Sequence, residues 1–348
     1  MDDRIERIGV LTGGGDCPGL NAVLRAIVRR ALLDQVPVLG IKNGWLGLID
    51  GEVEPLTRHA ILGILPRGGT IIGTSRVNPL EPPERLQKIR ENWARYGLSA
   101  LIVIGGEGTL RAAHQLHQEE GFPIVAIPKT IDNDLAGTDY TVGLDTAVSV
   151  VADAIDRLHT TAESHHRVMV LEVMGRHSGW IATCGGIAGG ADIVLVPEIP
   201  FRLSQVCEIA LQRKRSGRQF SIVVVSEDAK PHPEEDFLSV EQRQAIYHHE
   251  RLGGIGHILA EQIERCTAIE ARVAVLGYMQ RGGSPTAFDR VLATRFGIKA
   301  VEMVKAGEFG RMAALQGLAV TSVPLGEAVS QIKPVHPEIY HAAEIFFG

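Results

Sequence analysis

Short β-branched runs that empty into glycine-rich or polar turns, and from there into segments of helical periodicity, recur along the chain. "RIGVL" precedes "TGGGDCPG", "ALIVI" precedes "GGEGT", "RVMVLEV" precedes "MGRHSG" and "RVAVLGY" precedes "MQRGGSP"; "PIVAI" and "FSIVVVSE" behave alike. Runs that are apolar at nearly every position belong to strands buried on both faces, which implies mainly parallel strands with helices covering them. The order predicts an α/β protein, and 348 residues are enough for about two domains. After residue 143, Val148, Val151, Ala152, Ile155 and Leu158 mark one apolar face, which predicts a helix joining two halves of the molecule. No fixed-period repeat is visible, and "DAKPHPEED" at 228–236 is the expected exposed loop.

Charge and cysteine usage narrow the function. A formal charge of −6 without a polybasic run argues against nucleic acid as a partner, so an anionic ligand needs arginines gathered locally. Cys17, Cys184, Cys207 and Cys266 are scattered and form no C-x-x-C pair, which speaks against a zinc site and a disulfide framework and for a reducing cytoplasm. "MDDRIERIGVL" is no secretory leader, and no apolar stretch reaches the length of a membrane span. The expectation is a soluble cytoplasmic protein.

Two glycine clusters carry the first chemistry. In "LTGGGDCPGLNAVLRAIVRRAL", Gly13, Gly14 and Gly15 follow a strand and a helix comes after, so bare amides are expected to converge near a helix amino terminus, where phosphate oxygens bind well. In "VIGGEGTLRAA", Gly105, Gly106 and Gly108 permit close approach, and Glu107 adds an oxygen ligand suited to magnesium. Neither is a P-loop or a clean G-x-G-x-x-G, and each taken singly also reads as a tight strand-to-helix turn. Two in one chain, the second with an acid, favour a nucleotide.

"IPKTIDNDL" then places Lys129, Thr130, Asp132, Asn133 and Asp134 at the end of the apolar run "FPIVAI", where open α/β sheets bind ligands. Phosphoryl transfer needs metal ligands, cations on phosphates and a carboxylate to take the acceptor's proton. In an extended stretch Asp132 and Asp134 point to one side, so one can act as base while the other holds magnesium through water, each raising the other's proton affinity. The plain alternative is a capped turn in which these side chains satisfy loop amides.

"LTGGGDCPGLNA", "RGGTIIGTSR", "GGEGT", "PKTIDND", "SHHRVMVLEVMGRHSGWIA", "VVVSE" and "GYMQRGGSPTAFDR" resemble, in order and spacing, the signatures of the 6-phosphofructokinases, from about residue 5 to about residue 305. The resemblance implies two similar three-layer α/β domains with mainly parallel sheets, interleaved in sequence. A nucleotide-binding domain is expected at 1–142 plus about 255–305, and a sugar-phosphate domain at 143–254 plus about 306–348. It implies transfer of the γ-phosphoryl group of ATP, with magnesium, to the 1-hydroxyl of fructose 6-phosphate, by a homotetramer or at least a dimer.

Carried over by residue, the resemblance gives Asp132 as base, Thr130 beside the transferring group and Arg176 supporting its charge. Gly14, Gly15, Arg76, Val77, Gly106, Gly108 and Thr109 fall on the donor site, with Arg76 bridging the donor phosphates. Glu107, where the family more often has Asp, and Asp134 fall on the metal. Thr130, Asp132, Met174, Gly175, Arg176, Glu227, Tyr278 and Arg281 fall on the sugar phosphate. Arg167 and Arg272 match arginines supplied by an adjacent subunit, so the active site is expected to be shared. Tyr278 stands where many members have His and cannot become cationic near neutral pH.

The donor signature is mixed. Pyrophosphate users commonly have Asp where Gly108 stands and Lys where Lys129 stands, and many ATP users have Gly at both. An acid at 108 would occupy and repel the α-phosphate, so Gly108 favours ATP; the alternative is pyrophosphate. Arg25, Arg29 and Arg218 match basic residues of the bacterial effector site, but His159 and Ser216 replace others and Asp192 replaces a Glu, which predicts a weaker or altered response to ADP and phosphoenolpyruvate. "GGEGT" also resembles the loop of NAD kinases and lipid kinases, which leaves "MGRHSGW" and "GYMQRGGSP" unexplained; a non-catalytic regulatory paralogue would not need Asp132, Thr130, Arg76 and Arg176. His114 and His117 are read as lying on a polar helix face, and "YHHE" at 247–250 lacks a zinc helix's second histidine. Cys17 is read as a small residue filling a turn.

Overall fold

The computed structural model describes residues 5–235, 237–238 and 254–347. The chain forms two compact units, Met1–Thr146 with Arg281–Ile332 and Ala147–Gln280 with Lys333–Gly348. In chain order the first unit contributes β1 (Ile8–Thr12), α1 (Leu20–Leu33), β2 (Val38–Ile41), α2 (Trp45–Asp50), β3 (Val53–Pro55), α3 (Glu84–Tyr96), β4 (Ala100–Gly105), α4 (Glu107–Glu120) and β5 (Ile124–Pro128). The long helix α5 (Leu144–His165) leads into the second unit, with β6 (Val168–Val173), α6 (Trp180–Gly189), β7 (Ile193–Leu195), α7 (Leu203–Arg215), β8 (Ser221–Ser226), α8 (Ile255–Thr267) and β9 (Ala271–Val275). A 3-10 turn at Gly277–Arg281 returns the chain to the first unit for α9 (Ala287–Lys305), β10 (Arg311–Gln316), β11 (Ala319–Pro324) and α10 (Leu325–Ala328), and α11 (Pro337–Glu344) ends in the second.

The first sheet runs β11-β10-β5-β4-β1-β2-β3, parallel except for its edge strands β3 and β11. Every residue of β1, β4 and β5 is buried, as strands covered on both faces require. Leu11, Leu101, Val103, Ile124 and Ala126 enter a core with Ile89 of α3 and Leu110, Ala113 and Leu116 of α4. α9 packs on β5 and against α1. That helix pair needs Gly297, whose added Cβ would lie 2.7 Å from the Ala26 Cβ and 2.8 Å from the Val23 carbonyl. Because β1 lies between β4 and β2, the strand order reverses there, and the turns after β1 and β4 flank the switch point where such sheets bind ligands.

The second sheet, β7-β8-β6-β9, is wholly parallel. Its core joins Val168, Val170, Val223 and Val225 with Val206 and Ala210 of α7 and Leu259 and Ile263 of α8. On α5, Val151 and Ile155 of the expected face are fully buried, and Ala147 and Ala162 extend it, whereas Val148, Ala152 and Leu158 are half-buried.

Several expectations shift. The units divide at different places: β9 pairs with β6, so residues 255–280 join the second unit, and β10 pairs with β5, so residues 306–332 join the first. Cys207 on α7 and Cys266 on α8 form a disulfide with Cα atoms 6.3 Å apart, contrary to the reading of scattered thiols; a sequence separation of 59 hides two helices packed side by side. The loop expected at 228–236 is less open than its composition suggests, since Asp228 and Ala229 are buried and Pro231 bridges to Phe201; Asp236 and the 247–250 stretch lie outside the described residues. His117 is half-buried with Nδ1 against the Phe122 carbonyl, and His114 packs on Gly326, so both serve the fold. Among the described residues no helix is long and apolar enough to cross a membrane.

Candidate active site

The carboxyl ends of β1, β4 and β5 bring three loops of the first unit together. After β1, the Gly13 amide donates to the Ile104 carbonyl and the Gly14 amide to the Ser75 carbonyl, each at 2.9 Å. These two glycines are therefore not an empty nest at the helix start as the sequence suggested, because Asp16–Gly19 intervene before α1 and both amides are already engaged. Gly14 needs glycine for its left-handed φ of 80°, whereas Cβ atoms on Gly13 and on Gly105 would each meet Thr109 at 2.5 Å. Thr109, in the first turn of α4, thus closes the two glycine turns onto one another. Gly106 is the N-cap of α4 and supplies no side-chain cap, which leaves the first-turn amides open to an anion.

The "RGGTIIGTSR" segment is laced to the same place. Asn21 donates to the carbonyls of Arg67 and Gly68 and accepts from the Ile71 amide at 2.8 Å, while Thr12 Oγ1 donates to the Gly73 carbonyl at 2.7 Å. Thr74 Oγ1 donates to the Gly14 carbonyl at 2.7 Å. Arg76 follows this anchored stretch with its side chain exposed, and Val77 packs on the core behind it.

Lys129 is 2% exposed and stands beneath the first glycine turn. Its ammonium donates to the carbonyls of Gly13, at 2.9 Å, and Gly15, so it straps the loop from inside. Burial pulls its pKa down, with Arg281 adding in the same direction, while Asp16 and Asp134 favour the charge. The Arg281 guanidinium donates to the Asp16 carbonyl at 3.2 Å and packs on Gly15, so it stands at the glycine turn of the first unit. Cys17 donates its thiol to the Val142 carbonyl at 3.3 Å, and burial pushes it up to about 12, so it is inert filling as read.

Thr130 and Asp132 lie half-buried after β5, with the Asp132 amide donating to Thr130 Oγ1 at 3.1 Å. The stretch is not extended: Asn133 adopts a left-handed φ of 52°, secured by its Nδ2 donating to the Asp139 carbonyl, so the simple alternation of Asp132 and Asp134 is broken. Glu107 is half-buried and ion-paired with Arg111 one turn on. Gly108 is exposed, and an added Cβ would meet nothing within 4 Å.

In the second unit, Met174, Gly175, Arg176 and Glu227 gather at the ends of β6 and β8. The Met174 amide donates to the fully buried Gln280, the Ser226 hydroxyl to the Gly175 carbonyl at 2.6 Å, and the Glu227 amide to the Val173 carbonyl at 2.8 Å. Gly175 has φ 137° and room for no Cβ, which would lie 2.7 Å from Ser226 Oγ. Arg176 is exposed, as is Tyr278 at 78%. Arg167 and Arg272 share the carboxylate of Glu270, Arg167 Nε at 2.7 Å, and this pairing lowers the Glu270 pKa, chiefly through the Arg167 hydrogen bond.

Two buried acids escaped the sequence reading. Glu172, alone in "VMVLEV", accepts from the amides of Gly254 and Gly256 at the start of α8. Asp289 accepts from Gly143 and Thr146. A lone acid inside an apolar run, and the T-x-x-D pattern of Thr286–Asp289, were the available signals.

The family described as Phosphofructokinase matches residues 7–304. A Streptomyces coelicolor protein named pyrophosphate–fructose 6-phosphate 1-phosphotransferase is 52% identical over 98% of this chain and 100% of its own. ATP-dependent 6-phosphofructokinase 3 of the same organism is 51% identical over 97% of this chain and 99% of its own. Among solved structures, Pichia pastoris phosphofructokinase in the T-state is 30% identical with a TM-score of 0.80; the match covers 99% of this chain, which spans 37% of that one. The Marinobacter aquaeolei pyrophosphate-dependent phosphofructokinase is 25% identical with a TM-score of 0.81, over 96% of this chain and 86% of its own. The chain is a phosphotransferase acting on a sugar hydroxyl, and it belongs to the phosphofructokinase family.

Proposed function

We propose that the protein transfers the γ-phosphoryl group of ATP to the 1-hydroxyl of fructose 6-phosphate, giving fructose 1,6-bisphosphate in the cytoplasm. The observation that carries the choice of donor is Gly108, exposed in the first turn of α4 with open space where a side chain would stand. Beside it the uncapped helix start and Arg76 receive the donor phosphates, with Gly14, Gly15, Gly106 and Thr109 shaping the turn. Asp132 takes the proton of the acceptor hydroxyl, Thr130 lies beside the transferring group, and Arg176 supports its charge. Met174, Gly175, Glu227, Tyr278, Arg281, Arg167 and Arg272 receive the sugar phosphate, the last two across a subunit contact in a homotetramer or dimer.

Magnesium fits the donor set. It keeps several waters and takes one or two carboxylates plus phosphate oxygens, and Glu107, half-buried in the first turn of α4, and Asp134, half-buried after β5, would supply those carboxylates. The ion would neutralise phosphate charge as it develops.

A second reading, pyrophosphate as donor, is favoured by Lys129 and by the name of the Streptomyces coelicolor relative at 52% identity. Initial rates with fructose 6-phosphate, magnesium and each donor decide between them. Efficient turnover with pyrophosphate and none with ATP would overturn the first reading, and no turnover with either would overturn both.

A further inference from the structure

We propose that Asp289 is a positioning residue for the loop that carries Thr130 and Asp132. The inference rests on the assignment of Asp132 as base. Asp289 is 0% exposed in the first turn of α9, yet it does not cap its own helix. Thr286 does that, accepting from the Asp289 amide at 3.2 Å. The carboxylate instead reaches the opening of α5: Oδ1 accepts from the Gly143 amide at 2.9 Å, and Oδ2 accepts from the Thr146 amide at 2.9 Å and the Thr146 hydroxyl at 2.5 Å. Three donors converge on two oxygens, a demand that an ionised carboxylate meets and a carboxamide cannot. Burial raises the Asp289 pKa and those hydrogen bonds oppose it.

The segment held in this way lies directly behind the reacting loop. Thr141 donates to the Thr130 carbonyl at 2.6 Å, Val142 donates to the Pro128 carbonyl at 3.2 Å, and Lys129 pairs with Val142 in a parallel bridge. The Val142 carbonyl in turn accepts from Cys17, beside the first glycine turn. Gly143 has φ 106°, and a Cβ there would lie 2.5 Å from Cys17 Sγ, so the turn tolerates little displacement. Asp289 thereby fixes residues 141–143, which fix Thr130, whose hydroxyl accepts from the Asp132 amide. A shift of about 1 Å in a reacting group is enough to cost about 100-fold in rate.

Steady-state kinetics on the full-length protein, with whichever donor supports wild-type turnover, tests the proposal. Asp289→Asn is expected to lower kcat by about 10- to 100-fold with both KM values within about threefold of wild type. Thr141→Val, which removes only the Thr141 hydroxyl that donates to the Thr130 carbonyl, is expected to lower kcat by about tenfold. Phe296→Leu, a cavity elsewhere on α9, should lower Tm and leave kcat within about twofold, which separates positioning from mere stability. Asp132→Asn combined with Asp289→Asn should be no more than about twofold slower than Asp132→Asn alone, because both act through one group. A folded Asp289→Asn with kcat within about twofold of wild type, or losses that multiply in the double variant, would overturn the proposal. Where Asp289→Asn does not fold, Thr141→Val at wild-type rate overturns it instead. Wild-type turnover by Asp132→Asn alone would sink the assignment of the base, whatever Asp289 does.

Discussion

The two units hold their assigned ligands' residues in different ways. In the first, the glycine turns, the Thr70–Ser75 stretch and the loop after β5 are tied by buried and part-buried hydrogen bonds, with the Lys129 ammonium held by two backbone carbonyls. In the second, the cations are more accessible: Arg176 is exposed, and the half-buried Arg167 and the more open Arg272 share one accessible carboxylate. A backbone cradle fixed before the donor arrives loses little entropy on binding, whereas surface ion pairs exchange partners easily. The difference teaches that chemistry should be brittle to substitution in the first unit and that sugar-phosphate binding should be graded in the second.

The harshest test falls on Asp132, the proposed base. Asp132→Asn should lower turnover by about 100-fold or more with KM values little changed, the scale of a lost proton acceptor. Single-turnover rates in a variant shown to be folded check it, and a normal rate would mean that the brittle unit is not where the proton goes. Next in size is Gly108→Asp. Open space at that position means that the carboxylate would be accommodated in the fold and act only on the ligand, so ATP use should fall by about 30-fold or more and pyrophosphate use far less. Equal losses with both donors would show that residue 108 does not face the α-phosphate.

How much of this was legible in the sequence follows the same divide. Apolar runs, broken in β6 only by Glu172, announced β1, β4, β5, β6 and β8, because full burial forces composition, and the glycine turns pointed to the candidate ligand face. Composition does not encode partners distant in the chain. Hence the Cys207–Cys266 bond, the carboxylate of Asp289 on the start of α5 and the exchange of segments between the units were not readable. Lys129 was legible only as a polar residue at the ligand end of β5, yet its ammonium bonds the carbonyls of Gly13 and Gly15, 116 and 114 positions away. The turn at Asn133 was legible only as the alternative to an extended stretch, because a left-handed residue needs tertiary support, here the Asp139 carbonyl.

Lys129→Met sharpens the comparison further. If the ammonium is a strap and not a ligand, the variant leaves two loop carbonyls without their donor, which costs about 1–3 kcal/mol of stability, and the donor KM should rise by about tenfold for ATP and pyrophosphate alike. Denaturant unfolding and initial rates measure both. Unchanged stability with loss confined to one donor would make Lys129 a direct ligand.

Regulation should be weaker still. Asp192 is 8% exposed and paired with Arg213 at 2.7 Å, and it accepts from the Ile222 amide at 2.8 Å. Burial raises the Asp192 pKa despite that partner, and the Arg213 pKa is lowered for the same reason. His159 contacts the Gly189 carbonyl at 3.0 Å and packs edge-on against Phe220. With these groups satisfied within the unit, ADP and phosphoenolpyruvate at millimolar levels should change the sugar-phosphate KM by less than about fivefold, the lower bound of ordinary allosteric coupling. Strong antagonism between the two effectors in the same assay would contradict this.

The smallest effect concerns Glu270, where the graded character of the second unit can be measured directly. Its carboxylate competes with any phosphate for Arg167 and Arg272, so Glu270→Gln should weaken those two pairs and lower the KM for fructose 6-phosphate by about two- to threefold, with kcat unchanged. The Glu270 pKa is lowered in the folded protein, first by the Arg167 hydrogen bond. The pairing therefore contributes stability that is present above the unfolded value of 4.5 and is lost as pH falls through the folded one. Tm of the variant should trail wild type by no more than about 2 °C at neutral pH, as expected for an exposed pair, and the gap should close below the carboxylate range. A raised KM in Glu270→Gln would mean that the carboxylate presents the arginines to the sugar phosphate instead of competing for them, and the second unit would then be as pre-arranged as the first.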